Sequence, residues 1–159
     1  MKTAADILKD KDLDMICISP DQTIREALQI MHDNGIGGLP VKEDKDIIGI
    51  WTERDLARDI LTAGFNLEMA RVRDYMTTKL YTAPYDSPIL KLQEMFLGLF
   101  IRHILIEKDG GFVGLLSIGD VLRASLLEKD NQIRKLTSMA SWEYYENWGW
   151  DRNRKKKNR

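Results

Sequence analysis

The sequence predicts a mixed α+β fold in which a β-α-β-β-α unit occurs twice and the two copies form one pseudo-symmetric module. Three observations predict it. ISPDQTIREALQIM, residues 18–31, lies over TAPYDSPILKLQEM, residues 82–95, at an offset of 64, with Pro20 over Pro84, Leu28 over Leu92 and Met31 over Met95. GIWTERD, residues 49–55, recurs 65 positions later as GLLSIGD, residues 114–120, keeping a glycine, two bulky apolar residues, a hydroxyl and an aspartate at one spacing. Between these segments each half carries two short apolar runs around a charged or glycine turn, the pattern of a β-hairpin. Self-similarity at one period is the mark of a duplicated unit.

Each copy opens with a lead-in, AADILKD in the first and VRDYM, Val72 to Met76, in the second. Short leading strands follow in MICIS and LYTA. A Pro-containing turn then starts a helix in which Ile24, Ala27, Leu28 and Met31 take the i, i+3, i+4, i+7 places of one buried face, with Asp21 or Thr23 as cap. The hairpins are GGLPV-KEDKD-IIGIW and RHILIE-KDGG-FVGLLS. Their second strands run into helices, ERDLARDILTAG, which Gly64 is placed to end, and IGDVLRASLLEKD. The boundaries expected are 3–66 for the first repeat, 67–130 for the second and 131–159 for a C-terminal helix and aromatic-basic tail. Units of about 60 residues bury too little surface to stand comfortably alone, so the two should share a module.

The chain has 159 residues, 43% of them hydrophobic, and a formal charge of −1. That balance gives no general reason to expect nucleic acid or a membrane surface as partner. The charge is unevenly placed: DRNRKKKNR holds six bases against one acid, +5, which leaves −6 for residues 1–150. Cys17 is the single cysteine, so no internal disulfide or multi-thiolate metal site can form. No apolar run approaches the roughly 20 residues a membrane span needs, and MKTAADILKDKD puts charges where a signal peptide needs an apolar core. The expectation is a cytoplasmic protein.

With its DIL and DYM lead-ins, SPDQTIREAL segment, LPV strand and a G-x-x-[ST]-x-x-D pattern in both halves, the sequence resembles a tandem pair of CBS domains, the Bateman module named after cystathionine β-synthase. The resemblance covers residues 3 to 130. It implies a disc of two repeats with two clefts that take adenosine-containing ligands, AMP, ADP, ATP or S-adenosylmethionine, and no required cofactor. It places Asp55 and Asp120 against ribose hydroxyls, and Thr52 and Ser117 toward phosphate at a helix start. Arg102, before the strand of the second repeat, and Arg54, inside TERD, are the candidate phosphate cations. The first repeat has Gly37-Gly38 where Arg102 and His103 stand, and the second has Gly119 where Arg54 stands, so the clefts are expected to differ, with Thr52 and Asp55 in the better-formed one. Ile18, Ile36 and Leu39 are candidates for an adenine pocket.

Plainer roles fit many of the same residues. [ST]-x-x-[DE] is a common helix-capping pattern, and capping is compatible with ligand binding. His103 and His32 lack the partners of a triad, Cys17 reads as a small buried hydrophobe, and there is no metal-ligand cluster, phosphate loop or nucleophile elbow. The chain is therefore not expected to be an enzyme. Its tail sets Trp142, Tyr144, Tyr145, Trp148 and Trp150 within nine residues ahead of the basic end, interleaved with Glu143 and Glu146. Docking of these aromatics fits better than stacking on nucleic acid, because the acids would repel a phosphate backbone. The function expected is ligand sensing, with a homodimer as assembly and an unidentified regulated protein as partner. Two alternatives stand beside it, a structural interaction module with vestigial pockets and a nucleic-acid accessory factor acting through the basic end.

Overall fold

The computed structural model describes residues 1–136, and the aromatic-basic segment lies outside them. In chain order the elements are α1 (Ala4–Lys11), α2 (Ile24–Asn34), β1 (Gly38–Glu43), β2 (Asp46–Thr52), α3 (Glu53–Asp59), α4 (Val72–Tyr75), β3 (Thr82–Pro84), α5 (Ile89–Leu99), β4 (His103–Lys108), β5 (Gly111–Ser117) and α6 (Ile118–Leu136). Helix and strand are mixed as the two-copy reading requires. Among the described residues they gather into two compact units, one of residues 15–80 and one of residues 1–14 with 81–136.

The unit of residues 15–80 is built on the β1–β2 hairpin, antiparallel, with a bulge between Val41 and Lys42. Asp44 turns the hairpin with φ 53°, a conformation a short Asp side chain tolerates. The leading strand expected in MICIS is reduced to Ile18, bridged in parallel to Val41. Thr23 and Glu26 form a capping box at the head of α2, and Gly35, at φ 61°, closes its end. The helix buries Ile24, Ala27 and Met31 of the face its periodicity predicted, while Leu28 is half-buried against the same core. They meet Leu39, Val41, Val72 and a fully buried Trp51 in one core.

The second unit holds a three-stranded sheet in the order β3-β4-β5, with β3 parallel to β4 and β4 antiparallel to β5. Its hairpin repeats the bulge, here between Ile106 and Glu107. The core joins Ile89, Leu92 and Phe96 of α5, Ile104 and Ile106 of β4, Leu116 of β5, Val121 and Ala124 of α6, and Ala4 and Ile7 of α1.

One helix boundary differs from the sequence reading, and the compact units divide the chain differently from the sequence repeats. Helix α3 ends at Asp59, not at Gly64, because Ile60 and Leu61 are 62% and 85% exposed and offer the core no further apolar face. The chain leaves through tighter bonds, Leu61 N–H to the Arg58 carbonyl and Thr62 N–H to the Asp59 carbonyl, at 3.2 and 2.9 Å. The sequence repeats, 3–66 and 67–130, also do not coincide with the compact units. Helix α1, which opens the first repeat, packs into the unit formed by the body of the second; residues 67–80, which open the second, pack into the body of the first.

Candidate functional site

Strand β2 ends on Thr52, and the same residue is the N-cap of α3, so the hairpin delivers one hydroxyl to the first turn of a helix. The Asp55 carboxylate turns back onto it. Its Oδ2 accepts from the Thr52 N–H at 2.9 Å and from the Thr52 hydroxyl at 3.1 Å, while the Asp55 N–H donates to the Thr52 oxygen at 3.4 Å. In the other unit, Ser117 N–H donates to Asp120 Oδ2 at 2.9 Å, and Asp120 N–H donates to the Ser117 hydroxyl at 3.1 Å.

Both pairs are therefore capping boxes, and so are Thr3 with Asp6 and Thr23 with Glu26. Capping alone thus does not single out the two junctions. Their surroundings do. Asp6 and Glu26 lie on exposed helix starts, where the cap residue's backbone N–H, more than any other influence, holds each carboxyl below its ordinary range. Asp55 and Asp120 are sunk where a strand meets a helix, with side chains 15% and 9% exposed, and each receives further polar partners from elsewhere in its unit.

For Asp55 these partners are neutral or shared. Thr77, on the segment following α4, donates its hydroxyl to Oδ1 at 3.4 Å, and Arg58 approaches the same oxygen at 3.4 Å. Arg58 is divided further: its Nε and Nη2 meet Asp59 Oδ1 at 2.8 and 2.7 Å, and Nη2 donates to the Tyr75 carbonyl at 2.9 Å. Asp59, 1% exposed, also accepts from the buried Trp51 indole at 2.9 Å. A continuous polar chain thus runs from the core indole through Asp59 and Arg58 to the carboxylate of the motif.

For Asp120 the partners are cations. Lys11, at the end of α1, reaches Oδ2 at 2.8 Å and donates also to the Leu115 carbonyl at 3.0 Å. Arg123 stands 3.9 Å from Oδ1. Where the other unit has Trp51 and Asp59, this one has Leu116 and Ala124, so the helix position that supplies a second carboxylate there is apolar here.

The motif glycine serves close packing of the lead-in. A Cβ on Gly49 would come within 2.6 Å of Met76 Sδ and 3.1 Å of the Thr77 carbonyl, and one on Gly114 within 2.5 Å of Leu8. These contacts hold the lead-in residues, Thr77 and Lys11, close to their aspartates.

The remaining candidates fall in different places. Arg54 is exposed on the first turn of α3, beside Glu53, whose carboxylate lies 3.0 Å from where a Gly37 Cβ would be. Arg102 is exposed just before β4, and its carbonyl accepts from Ile118 N–H at 2.9 Å, as the Gly37 carbonyl accepts from Glu53 N–H at 3.0 Å. Ile18 and Leu39 are 2% and 0% exposed in the core, whereas Ile36 is half-buried. Cys17 is half-buried rather than buried; its thiol donates to the Met15 carbonyl at 3.7 Å, and partial burial pushes it above the ordinary value.

Sequence reasoning missed Arg58, Asp59, Thr77 and Lys11. Arg58 had a signal, since it and Arg123 stand three residues after each aspartate, at ion-pairing distance on a helix. Lys11 had none, being 109 residues from Asp120 and in the lead-in of the other repeat.

Comparison with known proteins agrees with this duplicated architecture. The CBS domain is matched twice, over residues 4–62 and 72–127. The CBS domain-containing protein CBSX3, mitochondrial, of Arabidopsis thaliana is 32% identical over 151 residues, 89% of this chain and 73% of that protein. A CBS-domain protein of Agrobacterium tumefaciens has a solved structure with a TM-score of 0.74 and 32% identity, over 78% of this chain and 99% of that one. The fold is shared too by a Pyrobaculum aerophilum CBS domain protein complexed with AMP, at TM-score 0.68 and 22% identity, over 80% of this chain and 97% of that one. With both matches falling on the duplicated strand-to-helix junctions, the chain belongs to the CBS-domain family.

Proposed function

We propose that this chain is a non-catalytic sensing module that binds an adenine nucleotide at the junction of β2 and α3 and passes the bound state to a partner protein. The observation that carries the reading is the Asp55 carboxylate: sunk at the strand end, it is held in place by Thr52 and Thr77 and shares its one arginine with Asp59. A carboxylate held by hydroxyls exchanges them for the two hydroxyls of a ribose at little cost, since donor type and count are conserved. Arg54, on the first turn of α3, supplies the cation for phosphate. Helix α3, only seven residues long, adds little dipole, so side chains carry that charge. Ile36, half-buried just before the hairpin, is the residue assigned to the adenine ring.

AMP, ADP, ATP and S-adenosylmethionine are the ligands to compare, and the AMP complex of the Pyrobaculum aerophilum relative puts AMP first. The reading includes a homodimer as the unit the partner recognises and a cytoplasmic location; the mitochondrial name of CBSX3 belongs to that protein. No helix of the described residues is long and apolar enough to cross a membrane. Isothermal titration of the four ligands into the wild type and Asp55→Ala is the test. At least one should bind, and the substitution should weaken it by about 10- to 100-fold, the worth of hydrogen bonds to a charged group. Silence with all four ligands would remove the proposal, and undiminished binding by Asp55→Ala would remove the site.

A further inference from the structure

The two copies of the motif differ most in what neutralises the aspartate. Around Asp55 the charged side chains in contact are Arg58 and, through it, Asp59, so two carboxylates share one guanidinium. Around Asp120 they are Lys11 and Arg123, so two cations face one carboxylate.

Lone pairs give the same contrast. On Asp55, Oδ2 is filled by the Thr52 amide and the Thr52 hydroxyl. On Asp120, Oδ2 is filled by the Ser117 amide and the Lys11 ammonium. An incoming hydroxyl can replace the threonine hydroxyl, which simply rotates to another acceptor. It cannot replace the ammonium on equal terms, because that exchanges a charge-assisted bond to Lys11, only 11% exposed, for a bond to a neutral hydroxyl.

We propose that Lys11 closes the second copy of the motif to nucleotides, turning Asp120 into an internal counter-ion that ties α1 to the β5–α6 junction and leaving one adenylate per chain, at Asp55. This rests on the adenine-nucleotide reading of Asp55. The lysine comes from the lead-in of the first repeat, so the N-terminal segment sets the occupancy of the second repeat's motif.

The test is calorimetric titration of AMP into five full-length proteins: wild type, Asp55→Asn, Asp120→Asn, Lys11→Met and Lys11→Met with Asp120→Asn. Methionine keeps the length of the lysine stem and removes the charge. The wild type should bind one AMP per chain, Asp55→Asn should bind about 10- to 100-fold more weakly, and Asp120→Asn should bind as the wild type does. Lys11→Met should gain a second AMP, and adding Asp120→Asn should remove it again, a gain that a merely structural lysine would not produce. Two AMP per wild-type chain, equal losses from Asp55→Asn and Asp120→Asn, or a folded Lys11→Met that still takes one AMP would each overturn the proposal while leaving nucleotide binding intact. No heat in any of the five would instead remove the adenylate reading and this inference with it. If Lys11→Met fails to fold by circular dichroism, the two aspartate variants decide, since neither alters the lysine.

Discussion

Asp59 shows how much one residue contributes beyond its position in a helix. It is 1% exposed, which an aspartate tolerates only when its charge and lone pairs are matched, and here the Trp51 indole and Arg58 match them. Replacing it by alanine strands a buried indole N–H and releases the arginine that approaches Asp55. Asp59→Ala should therefore cost about 2 kcal/mol, the penalty of one unsatisfied buried donor, in urea unfolding followed by circular dichroism. Asp59→Asn, which keeps an acceptor for the indole, should recover most of it. A loss below about 0.5 kcal/mol for the alanine variant would mean that the polar chain contributes nothing to stability. The sequence marks Thr52 and Asp55 by their spacing, but it gives Asp59 no such mark. An acid in an amphipathic helix reads as solvated until the neighbouring strand is seen to bury a tryptophan against it.

Among the elements, α2 and α5 are equivalent by the repeat, and their C-termini expose a conflict between backbone and side chain. Both end in the left-handed conformation, α2 on Gly35 at φ 61° and α5 on Phe100 at φ 53°. Glycine adopts that conformation freely, whereas a side chain's Cβ crowds the following carbonyl. Phe100 is 82% exposed, so the core of its unit covers little of the ring. Phe100→Gly should stabilise the protein by about 1 kcal/mol and raise Tm by a few degrees; a lower Tm would show that the ring makes contacts worth more than the strain. The helix itself was legible from apolar spacing, and so was α2. The end of α3 was not, because a glycine five residues on is a good stop signal only if the core extends that far. Ile60 and Leu61 look apolar in sequence yet find nothing to cover them within the described residues.

For the whole molecule, the compact units trade lead-ins. Ile7 opens the first sequence repeat but is fully buried among residues of α5, β4, β5 and α6. Val72 and Arg73, opening the second, bond by their N–H groups to the Gln22 and Pro20 carbonyls at 2.9 Å, and the Arg73 side chain pairs with Asp21 and Glu43 at 3.2 and 2.6 Å. Ile7→Ala should cost about 3 kcal/mol through the cavity it leaves. In hydrogen exchange the lost protection should concentrate in β3, β4, β5, α5 and α6 rather than in residues 24–59. Equal loss in both would contradict the assignment of α1 to that core. The sequence by itself determined the duplicated unit, its helices and hairpins, and the hydroxyl and aspartate at each strand-to-helix junction, because periodicity, caps and turns act over a few residues and leave a local imprint. Only the tertiary structure decided what each aspartate meets. Lys11 and Asp120 are held together by packing, through Leu8 set against Gly114, and contacts across a hundred residues of chain follow from which faces must be buried rather than from any spacing in the sequence.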